Sequence, residues 1–380
     1  MEKCKNFNLC GGCSLLNIDY LTQLKQKQSY IQSCLKNENI DFKVEETEGM
    51  FYPYKYRNKI HLAVSENKGN TFLGFFEEGS NKIIKVQKCA LFDLWAEQLI
   101  NITNEFIKNF KIIGYNKEKR SGIVRYIVAR KLKDSISVCI VATSQNFAGK
   151  DWYYKKLVET FKNVSFYLNI NKRTDNAVFD DNKFIFKGGL RKIKGKMLGV
   201  EFELSPNSFY QTNEKITSKM YEKAIELLNI SKNDTIYDLY SGIGITSILF
   251  AKHASKVYSI EYSKTATQNA ISNAKLNGLK DKIEVSTGMC KDILPKLPKI
   301  DNSLCFLDPA RSGAEPETLY EIVKLLPKTI VYMSCNAESL AGDLKILLNS
   351  KKYKLNYIQG FDMFPQTKHI EVLAQLVRLQ

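Results

Sequence analysis

The sequence lacks any uninterrupted apolar run of about 18 residues, the length that a membrane-spanning helix needs. Its N-terminus is polar and rich in cysteine, and it resembles neither a signal peptide nor a transit peptide. Internal repeats and low-complexity segments are also missing. These absences favour a globular cytoplasmic protein with no membrane partner, and we expect it to be a monomer.

The nine cysteines do not predict a disulfide framework, because thiols stay reduced in the cytoplasm. Metal ligands, a nucleophile and small buried hydrophobes are the roles left for them. Cys4, Cys10 and Cys13 lie within ten residues and predict a metal site. Cys89, in a strand-end segment, is the candidate fourth ligand, whereas Cys34 lies inside a predicted helix. The spacing suits either tetrahedral zinc or a four-iron cluster.

Acidic residues are scarce relative to basic ones, 40 against 56, which gives a net charge of +16. Residues 1–205 carry 34 basic and 22 acidic side chains, a net +12, and residues 206–380 carry 22 and 18, a net +4. Two basic stretches, Lys111–Lys133 and Lys183–Lys196, lie in the first part. Each alone could be a solvated lysine-rich face. Together with the charge asymmetry they favour a nucleic-acid partner.

The pattern of apolar residues changes along the chain. Residues 1–205 contain short β-rich runs separated by turn signals, with a helical stretch at about 91–110, and predict a largely antiparallel α+β domain. Residues 206–380 alternate helix and strand, which predicts an α/β domain with a parallel doubly wound sheet. A helix predicted over residues 15–37 belongs to the first part by sequence only, and its packing partner is left open.

The segment "TIYDLYSGIGITSILFAKHASKVYSIEYS" predicts a nucleoside-binding loop. Gly242 and Gly244 follow an apolar strand, and glycines there let the backbone approach a ligand closely. Glu261 ends the next strand, where it could accept hydrogen bonds from ribose hydroxyls. Ser247 stands where a dinucleotide fingerprint has its third glycine. With Asp238, the pattern D-x-x-x-G-x-G resembles an S-adenosylmethionine loop; the alternative is an ordinary βα turn without a ligand.

Three later strand ends carry reactive side chains. Asp308 ends the predicted fourth strand, Cys335 follows the fifth, and Glu371 lies near the turn of a closing hairpin. In an open α/β sheet these ends share one crevice with the glycine loop. Cys335 therefore differs from the cysteines interpreted as structural, which are Cys139, Cys290 and Cys305.

At this point the sequence resembles the RNA uracil-C5 methyltransferases over nearly its whole length. The motifs that carry the resemblance are Cys4-x5-Cys10-Gly-Gly-Cys13, "YRNK" at 56–59, Cys89, "SFYQTN" at 208–213, "DPARSG" at 308–313, "MSCN" at 333–336 and "MFPQTKHIE" at 363–371. Within the family it looks most like the compact bacterial 23S ribosomal RNA enzymes that have an iron–sulfur cluster and no N-terminal OB-like domain.

The resemblance implies a Rossmann-like, class I S-adenosylmethionine-dependent methyltransferase domain and a β-rich, iron–sulfur-bearing RNA-binding domain. It implies 23S ribosomal RNA as the partner. It also decides the open choice of metal in favour of a [4Fe–4S] cluster held by Cys4, Cys10, Cys13 and Cys89.

The chemistry of uracil methylation assigns roles to the residues at the strand ends. C5 of uracil becomes nucleophilic only after a thiolate adds to C6, and Cys335 is assigned that attack. Glu371 is implied as the base that removes the C5 proton. His369 is expected to be structural, and the group that activates Cys335 is left open. The target uridine has to be flipped out of its stack, and Arg311 is a candidate phosphate contact.

The family pattern also implies which residues contact the cofactor or line its pocket. They are Gln211, Tyr240, Gly242, Gly244, Glu261 and Asp308. The chain departs from the family in having Ala310 and Ala337 where prolines are common, which puts the rate in doubt.

Three other functions are weighed. An RNA cytosine-C5 methyltransferase usually has its cysteine in the fourth-strand loop, which here reads "DPAR". A transfer-RNA uracil methyltransferase typically lacks the cysteine cluster. A non-catalytic iron–sulfur protein that binds RNA during ribosome assembly would leave Cys335 and Glu371 without a role.

Overall fold

A computed structural model describes residues 4–180 and 183–379, which fall into two compact units. The β-rich unit comprises the chain up to Asn17 together with Tyr54–Gly195 and Glu203–Asn207. The eight-stranded unit comprises Ile18–Pro53, Lys196–Phe202 and the chain from Ser208 onward. The segment Ile18–Pro53, with the helix predicted over residues 15–37, thus groups with the later part of the chain.

The strands, in chain order, are β1 (Glu45–Glu48), β2 (Lys59–Asn67), β3 (Asn70–Phe76), β4 (Ile83–Lys85), β5 (Val124–Leu132), β6 (Ser135–Ala142), β7 (Asn163–Ile170), β8 (Phe184–Gly189), β9 (Ile193–Met197), β10 (Val200–Leu204), β11 (Thr235–Leu239), β12 (Lys256–Glu261), β13 (Ile283–Thr287), β14 (Ser303–Leu307), β15 (Thr329–Ser334), β16 (Tyr353–Phe361) and β17 (Glu371–Arg378). The α-helices are α1 (Tyr20–Asn37), α2 (Leu94–Asn109), α3 (Lys150–Thr160), α4 (Glu214–Leu228), α5 (Ile245–Ala251), α6 (Lys264–Leu276), α7 (Cys290–Ile293), α8 (Pro316–Leu325) and α9 (Ala337–Asn349). Short 3₁₀ turns lie at Lys280–Lys282 and Leu294–Lys296.

The sheet of the eight-stranded unit has the order β1-β16-β17-β15-β14-β11-β12-β13. Its central strands are parallel, and β17 runs antiparallel between β15 and β16. Every residue of β11 and β14 is buried, as expected for parallel strands covered on both faces. The strand order reverses between β11 and β14, so a crevice opens at their carboxyl ends. This confirms the predicted doubly wound sheet.

The N-terminal helix α1 packs within the eight-stranded unit. Ile31 and Leu35 are each 1% exposed and belong to the same hydrophobic core as the central strands. Lys27 Nζ lies 2.5 Å from Asp362 Oδ1, and this pair is almost completely buried. The helix therefore contributes both apolar and ionic contacts to the core that supports the crevice.

The β-rich unit contains a seven-stranded sheet of order β4-β3-β2-β5-β6-β7-β8. Its neighbouring strands are antiparallel, as expected, except for β6 and β7, which are parallel and are connected through α3. The helices α2 and α3 contact each other through Phe106 and Tyr153, whose ring centroids are 4.9 Å apart. Thr103 Oγ1 and Tyr153 Oη are hydrogen-bonded at 2.8 Å inside this contact.

Among the described residues, no helix combines the length and the apolar character that crossing a membrane requires.

Candidate active site and cysteine cavity

The glycine loop after β11 has a backbone that only glycine adopts readily. Gly242 and Gly244 have φ angles of +55° and +80°. A Cβ atom at Gly242 would meet none of the described heavy atoms within 4 Å, so its backbone borders open space. A Cβ atom at Gly244 would lie 2.9 Å from Cβ of Ala270. Gly242 thus leaves room for a ligand, and Gly244 permits close helix packing.

Glu261 holds the glycine loop in place. Its Oε2 accepts a hydrogen bond from the Gly242 amide at 3.0 Å, and its Oε1 accepts one from the Ser263 amide at 2.7 Å. A carboxylate has about four lone-pair positions, so this side chain keeps acceptor capacity for the hydroxyls of a ribose.

Asp238 is fully buried in β11. Its Oδ2 accepts hydrogen bonds from the hydroxyls of Thr246, at 2.8 Å, and Ser247. Its Oδ1 has no hydrogen-bond partner among the described residues. Burial raises the pKa of Asp238 to about 7, although the bonds from Ser247 and Thr246 lower it. A half-satisfied buried carboxyl favours a ligand that can donate a proton or carry a positive charge.

Cys335 and Glu371 are brought together by the pairing of β15 with β17. The antiparallel register joins Ser334 to Val372, and continuing it by one residue sets Cys335 opposite Glu371. Glu371 is 3% exposed, and its Oε2 has no partner among the described residues. Burial and, secondarily, the charge of Asp308 raise the pKa of Glu371 well above its usual range. The predicted nucleophile and base are therefore neighbours, as the strand ends suggested.

Asp308 follows β14 at the same edge of the sheet, where its amide donates to the Leu239 carbonyl at 3.3 Å. Burial, followed by the charges of Asp238 and Glu261, raises the pKa of Asp308 to about 8. Burial likewise raises the pKa of Cys335 to about 11, and the charges of Glu371 and Asp308 add to this shift. The crevice thus disfavours negative charge on each of these groups.

Arg311 is the cation that acts on Cys335, because its charge lowers the pKa of that thiol. The side chain is exposed, but its backbone is held: the Arg311 carbonyl accepts bonds from Asn336 Nδ2 at 3.2 Å and from Ser339 Oγ at 3.3 Å. The sequence left the activating group of Cys335 open, and Arg311 is a candidate for it.

Tyr221 is a site residue that the sequence did not reveal. It lies on α4, is 8% exposed, and has its hydroxyl pKa raised by burial and by the charges of Asp308, Asp238 and Glu371. The charges of all three carboxyls therefore act on its hydroxyl. Its position in α4, eight residues after Asn213 of the "SFYQTN" motif, is the one available signal, and this spacing is equally typical of a helix core position.

The other residues predicted near the site differ in their exposure and in their partners. Gln211 is 7% exposed, in the segment that precedes α4. Tyr240 has a φ angle of +59° and donates its hydroxyl to Glu315 Oε2, so its polar end is engaged within the protein. His369 is exposed, and its ring packs edge-on against Phe364 with 6.0 Å between centroids. The structural role expected for His369 stays a prediction.

A cavity of about 340 Å³ in the β-rich unit collects the four predicted metal ligands. Burial raises the pKa of Cys13 to about 12 and that of Cys89 to about 11, and charges of neighbouring thiols contribute to both shifts. The cation of Arg57 lowers both values. In residues 4–180 and 183–379, however, no group of three or more Cys, His, Asp or Glu side chains is arranged to hold a metal ion. The cysteines that line the cavity are Cys4, Cys10, Cys13 and Cys89.

The basic stretch Lys111–Lys133 is not a continuous surface. Arg125 and Arg130 are each only 5% exposed. Arg125 Nη1 donates to the carbonyls of Asn171 and Arg173 at 3.1 and 2.7 Å, so it has a structural role. The interpretation of the whole stretch as a nucleic-acid surface is wrong for these two residues, because strand β5 turns them inward.

The second stretch, Lys183–Lys196, remains largely exposed. Lys187 lies on β8, the last strand of the sheet order, and its charge lowers the pKa of Lys150 after the effect of burial. The Arg191 guanidinium stacks on Phe186 at 4.7 Å from the ring centroid. We name Lys150, Lys187, Arg191 and Phe186 the β8 edge surface.

The chain is similar to a family model and to bacterial proteins of known sequence. The family model described as tRNA (uracil-5-)-methyltransferase matches residues 19–378. A relative from Clostridium acetobutylicum, described as an uncharacterized RNA methyltransferase, is 33% identical over 99% of this chain and 83% of its own length. A relative from Oceanobacillus iheyensis with the same description is 34% identical, over 97% of this chain and 81% of its own length.

Among solved structures, the Pyrococcus abyssi tRNA (uracil-54, C5)-methyltransferase in complex with S-adenosyl-L-homocysteine is similar, with a TM-score of 0.79 and 27% identity. The match covers 97% of this chain and 86% of the Pyrococcus chain. Together with the family model and the bacterial relatives, it confirms the resemblance inferred from the motifs: the chain belongs to the RNA uracil-C5 methyltransferase family.

Proposed function

We propose that the protein transfers a methyl group from S-adenosylmethionine to C5 of uridine in RNA through a covalent adduct with Cys335. The observation that carries this proposal is the pairing of Ser334 with Val372, which brings the next residues, Cys335 and Glu371, to one edge of the sheet that also carries the glycine loop. Nucleophile, base and cofactor loop then border one crevice, as the reaction requires.

The chain's own groups perform the steps on the base. The thiolate of Cys335 attacks C6 of the uracil, and the electron pair of the C5–C6 bond moves toward the O4 carbonyl, which makes C5 nucleophilic. Bound S-adenosylmethionine supplies the electrophilic methyl group. Glu371 then accepts the C5 proton, the C5–C6 double bond re-forms, and Cys335 leaves as a thiolate.

Cofactor binding is assigned to the residues around the glycine loop. Glu261 is proposed to accept bonds from the ribose, and Gly242 gives the ligand close access to the backbone. Asp308, Gln211 and Tyr240 are proposed to line the same pocket. The Tyr240 ring, rather than its hydroxyl, is the available contact, since the hydroxyl bonds to Glu315.

RNA binding is assigned to the β-rich unit. A uridine stacked in RNA cannot reach a crevice at a sheet edge, so it has to be flipped out of its stack. The β8 edge surface combines cations with a stacked aromatic ring, the combination that binds single-stranded nucleic acid.

For the target we propose 23S ribosomal RNA, and for the cysteine cavity a [4Fe–4S] cluster. The support is the set of four thiols that line one cavity next to Arg57, a donor set that fits iron–sulfur chemistry. A cluster there would join the N-terminal segment to the rest of the β-rich unit. Transfer RNA is the second candidate, because the family description and the Pyrococcus enzyme both name it.

The test of the activity uses purified protein, S-adenosylmethionine and protein-free 23S RNA or unmodified transfer RNA, with 5-methyluridine measured by mass spectrometry. We expect 5-methyluridine to form in 23S RNA. Product on transfer RNA alone would show that transfer RNA is the substrate, and no product on either RNA would reject the proposed activity.

The test of the nucleophile uses RNA that contains 5-fluorouridine, from which no C5 proton can be removed. The unchanged protein should form an adduct that survives denaturation. Cys335→Ala should form none, while Cys34→Ala, which removes another thiol of the same unit, should still form it. An adduct with Cys335→Ala would show that another residue attacks.

The test of the cavity is metal analysis of protein prepared without oxygen. About four irons per chain and a brown colour are expected, and Cys89→Ser should lower the iron content. Stoichiometric zinc in a colourless sample would reject the cluster.

A further inference from the structure

The crevice of the eight-stranded unit gathers three carboxyl groups. Asp238, Asp308 and Glu371 lie at the ends of three strands of one sheet. None of the salt bridges among the described residues includes any of them. Two of their oxygens, Asp238 Oδ1 and Glu371 Oε2, are buried and lack a hydrogen-bond partner among the described residues. Such atoms cost folding free energy unless a proton or a ligand satisfies them.

The other groups that face this cluster do not neutralise it. Glu261 adds a further acid, whose charge raises the pKa of both aspartates. The charges of the cluster act on Tyr221 of α4 and on Cys335, which follows β15, and both side chains are neutral when protonated. Arg311 is exposed, and its charge acts on the thiol of Cys335. Without a ligand, the cluster can lower its repulsion only by holding protons.

The methyl donor and the product differ by one charge. S-adenosylmethionine has a positive sulfonium, whereas the sulfur of S-adenosylhomocysteine is neutral, and the two molecules otherwise carry the same groups. A positive charge near a set of carboxyls favours their ionised forms, and a neutral thioether does not.

We propose that the cluster of Asp238, Asp308 and Glu371 distinguishes the methyl donor from the product by charge, releasing a proton when S-adenosylmethionine binds and keeping it when S-adenosylhomocysteine binds. The inference rests on the proposed function, because it takes this crevice as the cofactor site and Glu371 as the base. Its new content is that the donor itself converts the base to its active form.

The proton balance of the reaction agrees with this order of events. Transfer of a methyl cation to C5 and loss of the C5 proton release one proton overall. In the proposed order a carboxyl proton goes to solvent as the donor binds, which leaves Glu371 able to accept a proton. The C5 proton then returns to Glu371 when the sulfur has become neutral. Cys335 loses its thiol proton to solvent before the attack and takes one up again after it leaves, so this proton cancels over the cycle. The cluster starts the next turnover protonated, and no further reactant is needed.

The test is calorimetric titration of the protein, without RNA, in two buffers of different ionisation enthalpy at pH 7.5. The difference in heat gives the protons released for each ligand bound. We expect about one proton released with S-adenosylmethionine and close to none with S-adenosylhomocysteine. Equal proton release for the two ligands would overturn the inference and leave the proposed methyltransferase intact. Failure of either ligand to bind would instead reject the proposed cofactor site itself.

Two variants locate the source of the proton. Glu371→Gln should release clearly less than the unchanged protein on binding the donor, and a release equal to that of the unchanged protein would contradict the inference. Cys335→Ala should release as much as the unchanged protein; a loss with this variant would make the thiol the source and contradict the inference.

A second measurement avoids dependence on a variant that folds poorly. In the unchanged protein, the ratio of the affinities for S-adenosylmethionine and S-adenosylhomocysteine should increase as pH rises from 6 to 8. Full coupling to one proton gives roughly a tenfold change per pH unit. A ratio that stays constant over this interval would contradict the inference.

Discussion

The two units differ in the charges that they bury. The eight-stranded unit buries acids in its crevice, with Asp238, Asp308 and Glu371 held together and their pKa values raised. It also buries the cation Lys27, which is paired with Asp362, the residue after Phe361. Phe361 pairs with Glu371, so this ion pair lies close to the crevice in the strand register. Among the described residues, the same unit thus neutralises one buried acid with an ion pair and gives the three crevice carboxyls none.

The β-rich unit instead places cations beside cations. The register of β2 with β5 sets Lys59 opposite Arg130, and burial followed by the charge of Arg130 lowers the pKa of Lys59 to about 8. Arg125, on the same strand, donates to backbone carbonyls and to the Asn171 amide oxygen, and its guanidinium lies 4.8 Å from the centroid of the Tyr115 ring.

Like charges brought together cost folding free energy, so the acidic crevice is suited to a ligand of opposite sign. A sulfonium cation is the ligand proposed for that crevice, whereas the polyanionic RNA is proposed to bind the exposed cations of the β8 edge surface and not the buried Arg125 and Arg130. The comparison therefore divides the proposed reaction into methyl donation in one unit and substrate binding in the other.

The largest effect is expected for Glu371→Gln, which tests the proposed role of the acidic crevice in proton removal. Loss of a general base typically costs a factor of about 10²–10⁴. The methylated base should remain attached to Cys335, since its C5 proton has no acceptor. Mass spectrometry of the protein after reaction with RNA measures this adduct, which should have the mass of methylated RNA.

Glu338→Gln is the matched control, because Glu338 is exposed on α9 and its side chain accepts a hydrogen bond from Tyr30 Oη. It should turn over normally. Rapid release of methylated RNA from Glu371→Gln would show that another group removes the proton.

The buried pair of the supporting core is tested by Lys27→Met. Removing one partner leaves Asp362 charged and buried, and should lower the free energy of unfolding by about 3–5 kcal/mol. Replacing both partners, as in Lys27→Met with Asp362→Leu, should recover most of this loss because no charge is left unpaired. Urea denaturation followed by far-ultraviolet circular dichroism measures both. An equal loss in the single and double variants would mean that packing, and not charge, sets the effect.

The doubly wound sheet was predictable from the sequence because its strands are apolar runs that alternate with helices. Three features of the fold were not predictable. The strand β1 is "EETE", with no apolar pattern, and it forms by pairing with β16 more than 300 residues later. The helix α3 follows Gly149, an N-cap residue that makes no side-chain hydrogen bond. Residues 18–53 precede the β-rich segments in the chain but pack on the later domain through Ile31 and Leu35.

The site was predictable where a strand end carries a chemically distinctive residue. Cys335 and the glycine loop follow this rule, since the carboxyl ends of parallel strands meet at one edge. Glu371 joins them because β17 runs antiparallel to β15, which places the first residue of β17 at the same edge. Tyr221 does not, because a tyrosine on the buried face of a helix has the same spacing whether it packs in a core or faces carboxyls. The metal prediction has a similar limit: the chain spacing of the cysteines does not determine how closely their sulfur atoms approach.

Asp308→Asn tests whether the acidic crevice lowers stability. The folded protein binds a proton at Asp308 up to a pH of about 8, whereas the unfolded chain loses it near pH 4. Stability that is present at low pH is therefore lost as pH rises through this window. The variant cannot ionise, so its melting temperature should exceed that of the unchanged protein by a few degrees at pH 8, and by less at pH 5. A difference independent of pH would assign the effect to packing.

The smallest expected effect concerns the β8 edge surface. Lys187→Gln with Arg191→Gln should weaken RNA binding several-fold and reduce the slope of log affinity against log salt concentration by roughly one to two. Lys155→Gln with Lys162→Gln removes the same charge from exposed positions of the same unit and is the control. If both pairs weaken binding equally, the net charge of the unit attracts RNA without a defined surface. A larger effect at Lys187 and Arg191 would assign RNA binding to the strand edge where Arg191 stacks on Phe186.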